Sequence, residues 1–227
     1  MKEFLEIRNR IAEAAKRAGR NPETITLVAV SKGQPLVKVA EVYNEGQRDF
    51  GENYVQELVQ KSASLAKEKI CWHFLGHLQK NKINKVIGLI DCLHSLDSLE
   101  LATALQKKLE QPLECFLEIN LGGERDKTGL SPAEALELIP KLNPLDKIDL
   151  VGLMTIPPAN KNPEESRPHF KKLFALCNTI NQGYLYKKPL TGLSMGMSDD
   201  FEIAIEEGAT VVRIGRALFG VRNDNAI

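Results

Sequence analysis

The sequence predicts an α/β chain folded as a (β/α)8 TIM barrel with an extra helix ahead of it. Three observations predict this. Eight short apolar runs alternate with stretches of helical periodicity. The runs are nearly continuous in apolar and β-branched residues, which suits parallel strands covered on the outside by helices. Their spacing averages roughly 25 residues, the span of one βα unit, and eight such units close a barrel.

In chain order, Phe4, Ile7, Ile11, Ala14, Ala15 and Ala18 share one helical face, and Gly19 and Asn21-Pro22 end that segment. The strands are expected near 25–31, 48–51, 71–75, 90–94, 113–120, 148–155, 190–194 and 210–214. The helices between them are expected near 35–45, 53–68, 79–87, 97–110, 131–141, 164–182 and 198–207. Ser131-Pro132-Ala133-Glu134 carries the signature of a helix start. Ser198-Asp199-Asp200 has N-cap composition. The alternative, an open doubly wound sheet, would want a Gly-x-Gly-x-x-Gly turn after the first strand. The chain has Ser31-Lys32-Gly33-Gln34-Pro35 there. No linker-like tract divides the sequence, so a single domain is expected over 1–227, with the leading helix in 1–19 and the barrel in 25–220.

Composition narrows the function classes. Thirty basic and thirty acidic side chains balance, and 43% of residues are hydrophobic, so the chain is neither disordered nor a basic nucleic-acid binder. No apolar stretch approaches the ~20 residues that cross a bilayer. The N-terminus Met1-Lys2-Glu3-Phe4-Leu5-Glu6 has no signal-peptide core. Cys71, Cys92, Cys115 and Cys177 form no C-x-x-C pair and read as reduced thiols. A soluble, cytoplasmic monomer with no nucleic-acid or membrane partner is expected.

In such a barrel the chemistry sits at the C-terminal ends of the strands. Lys32 ends the first strand on the face of Thr26, Val28 and Val30. An amine aimed into a low-dielectric mouth becomes a nucleophile for an aldehyde; a solvated loop lysine is the plain alternative. After strands seven and eight, Ser194, Gly196, Ser198, Gly215 and Arg216 offer hydroxyls and close-approach backbone N–H groups for a phosphate. Arg213, sharing a face with Val211, either pairs with a carboxylate or donates to a ring nitrogen. An aldehyde-binding lysine, a phosphate cup and an arginine for a pyridine nitrogen together describe the binding of pyridoxal 5′-phosphate (PLP). A sugar-phosphate aldehyde or ketone would use the first two parts and leave Arg213 without a purpose. His73 and His77 straddle a strand end and read as structural, Trp72 and Cys71 as outer-face packing, and Tyr54 as helix packing.

Several segments are shared, in order, with a known family. They are Val28-Ala29-Val30-Ser31-Lys32, Phe50-Gly51-Glu52-Asn53-Tyr54-Val55-Gln56-Glu57, His73-Phe74-Leu75-Gly76-His77-Leu78-Gln79, Asn81-Lys82 and Gly152-Leu153-Met154. Leu193-Ser194-Met195-Gly196-Met197-Ser198-Asp199-Asp200, Val212-Arg213-Ile214-Gly215 and Phe219-Gly220 complete the set. The chain resembles the pyridoxal phosphate homeostasis proteins, barrels similar to the N-terminal domain of alanine racemase. The resemblance implies that Lys32 holds PLP as a Schiff base and that Arg213 partners the pyridine nitrogen. It further implies that Ser194, Gly215 and Arg216 contact the phosphate, the last two through main-chain N–H, and that Asn53 and Met154 line the ring. Arg216 stands where relatives often carry a small residue. The function implied is a non-enzymatic carrier acting in vitamin B6 homeostasis and amino-acid balance, with PLP-dependent apo-enzymes as possible recipients. The alternative is an amino-acid racemase-like PLP enzyme. An arginine partner leaves the pyridine nitrogen unprotonated and the ring a weaker electron sink. The chain ends at Ile227, seven residues after Gly220, so the second domain that supplies a racemase with its opposing base is not expected.

Overall fold

The computed structural model describes residues 2–124, 128–158 and 162–220. Eight strands, all parallel to their neighbours, close into a barrel in sequence order. They are β1 (Thr26–Val30), β2 (Asp49–Glu52), β3 (Cys71–Phe74), β4 (Cys92–Leu96), β5 (Leu113–Glu118), β6 (Ile148–Met154), β7 (Gly192–Ser194) and β8 (Val211–Ile214). Between and around them run α1 (Lys2–Arg17), α2 (Leu36–Asn44), α3 (Val55–Ser64), α4 (Ile83–Val86), α5 (Leu99–Gln106), α6 (Pro132–Leu142), α7 (Arg167–Gln182), α8 (Phe201–Glu206) and α9 (Arg216–Phe219). No described helix is long and apolar enough to cross a membrane, and all four cysteines are free thiols.

Local chemistry explains most boundaries. Ser131 and Glu134 form a reciprocal capping box at the start of α6, with Pro132 in the first turn. Ser98 accepts from the Leu101 N–H and starts α5. Several expected helices are shorter than the sequence pattern, among them 53–68 (Val55–Ser64) and 97–110 (Leu99–Gln106), and two others have a local reason. The stretch 79–87 begins as a 3-10 turn, Lys80–Lys82, and only Ile83–Val86 is α-helical; neither start has a side-chain cap, and Asn81 and Asn84 are weak helix formers. The stretch 198–207 becomes helical only at Phe201, because Asp200 Oδ1 turns back to accept from the Met197 N–H at 2.7 Å. Gly196 enters that turn at φ +92°, and a Cβ there would lie 2.5 Å from the Ala204 Cβ.

The leading helix α1 lays Phe4, Ile7, Ile11, Ala14 and Ala15 against the barrel's outer layer. It is tied to the last βα unit: Arg10 makes a two-pronged pair with Glu202 at 3.1 and 3.0 Å and lies over the Phe201 ring. Arg20 donates to the carbonyls of Ile205 and Ala209 at 2.8 and 2.7 Å.

Side-chain alternation divides the core in two. Outward positions such as Leu27, Ala29, Phe50, Trp72 and Phe74 join the large cluster beneath the helices, with Trp72 against Phe50. A smaller cluster fills the barrel: Val28, Cys92, Phe116, Met154 and Val211. Trp72 thus packs outward as expected. Cys71 does not. It shares a face with His73 and points inward, its Sγ 3.5 Å from His73 Nε2, because both are two residues apart on β3.

Candidate functional site

A cavity of about 490 Å³ opens at the C-terminal ends of the strands, within the size range of small-molecule sites. Lys32, Asn53, Met154, Arg213, Gly215 and Arg216 all line it. These residues come from β6 and β8, from the loops that follow β1 and β2, and from the start of α9. Barrel closure alone makes them neighbours. Lys32 follows β1 on the inward parity, with Val28 in the inner cluster and Val30 on the cavity wall.

The turn that carries Lys32 is built on a buried ionic network. Lys61, from α3, donates from Nζ to the Ser31 carbonyl at 2.7 Å, to Glu52 Oε1 at 2.7 Å and to Glu57 Oε2 at 2.8 Å. Ser31 Oγ donates to the same Glu52 oxygen at 2.7 Å, and the Gly33 N–H donates to Glu57 at 2.7 Å. Both residues flanking Lys32 are therefore pinned from behind. Burial pushes the Glu52 carboxyl above its ordinary range, and Lys61 and Ser31 oppose that shift. Lys61 carries no motif that marks this role in the sequence. Its one signal is its spacing, four residues after Glu57 and nine after Glu52, just beyond the shared segment that ends at Glu57.

Arg213 lies in the cavity floor and is 4% exposed. Its Nη1 donates to Ser194 Oγ at 2.6 Å and its Nη2 to the Thr155 carbonyl at 2.9 Å. A guanidinium has five N–H groups, so further donors remain to face the cavity. Burial pulls its pKa down to about 10, while Asp200 and Glu118 oppose the shift; it stays cationic at neutral pH. Its pairing is thus with a hydroxyl and a carbonyl, and no carboxylate among the described residues contacts it.

Ser194 is placed apart from the other expected site residues. It is fully buried behind the wall, with its hydroxyl held between Arg213 and His94 Nδ1 at 2.8 Å. His94 Nε2 meets His73 Nδ1 at 2.9 Å, and His73 Nε2 meets Asp49 Oδ1 at 3.1 Å. A chain of polar groups therefore crosses the barrel from mouth to base. With both rings neutral its ends set one direction, since an arginine only donates and a carboxylate only accepts. Arg213 donates to Ser194, Ser194 to His94, His94 to His73, and His73 to Asp49. Burial, with smaller contributions from His73 and Arg213, pushes the His94 pKa well below its ordinary value and keeps that ring neutral; the ring also stacks on Phe116, with centroids 4.6 Å apart. His73 is buried within this chain of polar groups and is not among the residues that line the cavity. Its partner His94 lies on β4, and no motif links the two.

The remaining expected residues are at the rim. Arg216 pairs with Asp199, both largely exposed. Ser198 Oγ accepts from the Ala217 N–H at 3.1 Å and so braces the start of α9 beside Gly215. His77 pairs with Asp97 at 3.2 Å and is half exposed. Tyr54, expected to pack on a helix, is instead 54% exposed: it precedes α3 in extended backbone, outside the helix's buried face. Asn53 Oδ1 is buried on the cavity wall with no hydrogen-bond partner among the described residues, a deficit that a ligand donor would relieve. Its backbone packs against Gly76, where a Cβ would sit 2.1 Å from the Asn53 carbonyl oxygen.

Comparison with known proteins agrees with this architecture. A family model described as alanine racemase, N-terminal domain, matches residues 5–223. A pyridoxal phosphate homeostasis protein of Aquifex aeolicus is 43% identical over 216 residues, covering 94% of each chain. One from Escherichia coli K12 is 40% identical over 224 residues, covering 96% of this chain and 94% of that one. The structure of PipY from Synechococcus elongatus with PLP bound superposes with a TM-score of 0.81 at 36% identity, over 92% of this chain and all of that one. An alanine racemase of Clostridium difficile shares the fold at 19% identity, with a TM-score of 0.74. This chain covers all of its own length but only 59% of that enzyme. Through its matched length, its identity to curated relatives and its barrel, the chain belongs to the pyridoxal phosphate homeostasis proteins, within the alanine racemase N-terminal domain family.

Proposed function

We propose that this chain binds PLP covalently through Lys32 and serves as a non-enzymatic holder of the cofactor in vitamin B6 and amino-acid balance. One observation carries the reading: a single cavity joins the Lys32 turn to a buried, cationic Arg213 and to a buried, unpartnered Asn53 Oδ1. PLP supplies an aldehyde for an amine, a pyridine nitrogen for a donor and a phosphate for backbone N–H groups. Lys32 offers the amine, Arg213 the donor, and Gly215 with Arg216 the N–H groups, while Met154 covers the ring. Ser194 serves by holding Arg213 in place.

The preference for a holder over a racemase-like enzyme rests on the cavity wall. Racemisation needs acid–base groups on both faces of the substrate carbon. Lys32 provides one. None of the four tyrosines is among the described lining residues: Tyr186 is buried elsewhere and bonds Ile148 and Leu150, Tyr43 lies under Arg48, and Tyr54 and Tyr184 are exposed. A cationic arginine also keeps the ring nitrogen unprotonated, which weakens carbanion stabilisation.

The test is to incubate the purified chain with PLP, reduce with borohydride to fix the lysine–cofactor linkage as a secondary amine, and map the labelled peptide. Label at Lys32, absent in Lys32→Ala, is expected; label at another lysine refutes the assignment. Enzyme-like racemisation or decarboxylation of amino acids by the loaded protein refutes the holder reading.

A further inference from the structure

At the base of the barrel, opposite the cavity, the polar chain ends in three groups of metal-ligating chemistry. Asp49 Oδ1, Cys71 Sγ and His73 Nε2 all lie within 4.8 Å of one another. We propose that these three atoms form a site for a thiophilic divalent metal of the zinc class, with the fourth position open to solvent. It does not rest on the PLP reading, since none of its three ligands lines the cavity.

Two of the three edges already have the length of a coordination sphere. A tetrahedral zinc with about 2.3 Å to sulfur and about 2.0 Å to nitrogen or oxygen holds S and N about 3.5 Å apart, and N and O about 3.3 Å apart. The structure has 3.5 Å from Cys71 Sγ to His73 Nε2 and 3.1 Å from His73 Nε2 to Asp49 Oδ1. The register explains this: Asp49 and Cys71 are directly paired on β2 and β3, and His73 stands two residues further on the same face. A second grouping, His73, Cys92 and His94, is also compact. It fails on geometry, because the two imidazoles already face each other at 2.9 Å as hydrogen-bond partners, with no room for an ion between them.

Access and charge favour a cation. The Asp49 side chain is one-third exposed and Cys71 is partly exposed, so the site reaches solvent. Asp91 and Glu114 also act on the Cys71 thiol, and together with Asp49 they give this end an acidic surround. The outer support is present too. A ligating histidine normally donates its other ring N–H to a fixed acceptor, and His73 Nδ1 faces His94 Nε2. With a metal on Nε2, His73 carries its proton on Nδ1 and donates to His94, which then donates from Nδ1 to Ser194. Each ring keeps one proton and only its position changes. Ser194 Oγ uses its two lone pairs for His94 and Arg213 and keeps its hydrogen. The proton released to solvent is that of the Cys71 thiol.

The test uses the full-length, metal-stripped chain without PLP, titrated with cobalt(II). One equivalent is expected to give a thiolate-to-cobalt charge-transfer band with tetrahedral ligand-field absorption, displaced by zinc. Cys71→Ser should lose the band, Asp49→Asn should weaken cobalt binding, and Cys92→Ser should retain the band. Trp72 fluorescence confirms that each variant is folded. No thiolate band with the wild-type chain overturns the proposal. So does a band that survives Cys71→Ser but is lost in Cys92→Ser.

Discussion

Lys61→Met is expected to destabilise the chain through an isolated charge, and its cost should depend on pH. Lys61 is 4% exposed and Glu52 is fully buried; the substitution removes the ammonium that meets Glu52 at 2.7 Å and Glu57 at 2.8 Å. Glu57 is one-fifth exposed and can turn to water, but Glu52 cannot. Breaking a buried pair by removing one partner costs about 3–5 kcal/mol. For a chain of this size that lowers the melting temperature by about 6–20 °C. Burial already raises the folded pKa of Glu52, and losing Lys61 removes the main opposing influence. A carboxyl whose folded pKa lies above its unfolded value carries no penalty below the unfolded pKa; the penalty grows as pH rises through the folded pKa. The loss should therefore be smaller at pH 5 than at pH 8. Urea denaturation followed by the sole tryptophan, Trp72, which is buried against Phe50, reads both. The double variant Glu52→Gln/Lys61→Met should recover most of the stability at pH 8. A loss under about 1 kcal/mol at pH 8, or one equal at both pH values and not relieved by the second substitution, refutes the reasoning.

Arg213→Met removes a charged donor from the cavity floor. Its effect on PLP affinity should be about 1.5–3 kcal/mol, roughly tenfold to a hundredfold, by absorbance titration, and a change under twofold would remove Arg213 from the site. Gly76→Ala sets a Cβ 2.1 Å from the Asn53 carbonyl oxygen. Displacement of that loop should cost about 1–3 kcal/mol in urea midpoints and weaken PLP binding; an unchanged affinity would show that Asn53 does not need its present position. Arg216→Ala deletes an exposed pair with Asp199, so stability should move by less than about 0.5 kcal/mol. PLP affinity should hold if the contact there is through the backbone, and a tenfold loss would assign it to the side chain.

Much of this molecule was legible because the barrel repeats one rule. Strand parity put Lys32 on the inner face with Val28, and Arg213 with Val211, and closure then brought both to one cavity. Helix limits were legible where a cap names them, as at Ser131, and illegible where a side chain folds back into the preceding turn, as Asp200 does to Met197. Tyr54 misled because it abuts an amphipathic pattern yet stands before the helix that pattern describes.

The barrel's polar interior was hidden for a different reason. Cys71-Trp72-His73-Phe74 reads as a buried strand, and parity within it already aligns Cys71 with His73. What parity within one strand cannot give is the partner on another. The His73–His94 and His94–Ser194 contacts join β3, β4 and β7, and they depend on registers and tilts that only closure sets. The strand-end position of Ser194, like the family resemblance, suggests a phosphate contact, whereas its hydroxyl here faces inward and bonds Arg213. The inference runs the other way once the fold is known. Buried polar groups demand partners, so a serine, two histidines and an aspartate of inward parity, placed between a mouth arginine and the barrel base, leave few arrangements that satisfy them all. The observed chain satisfies each in turn.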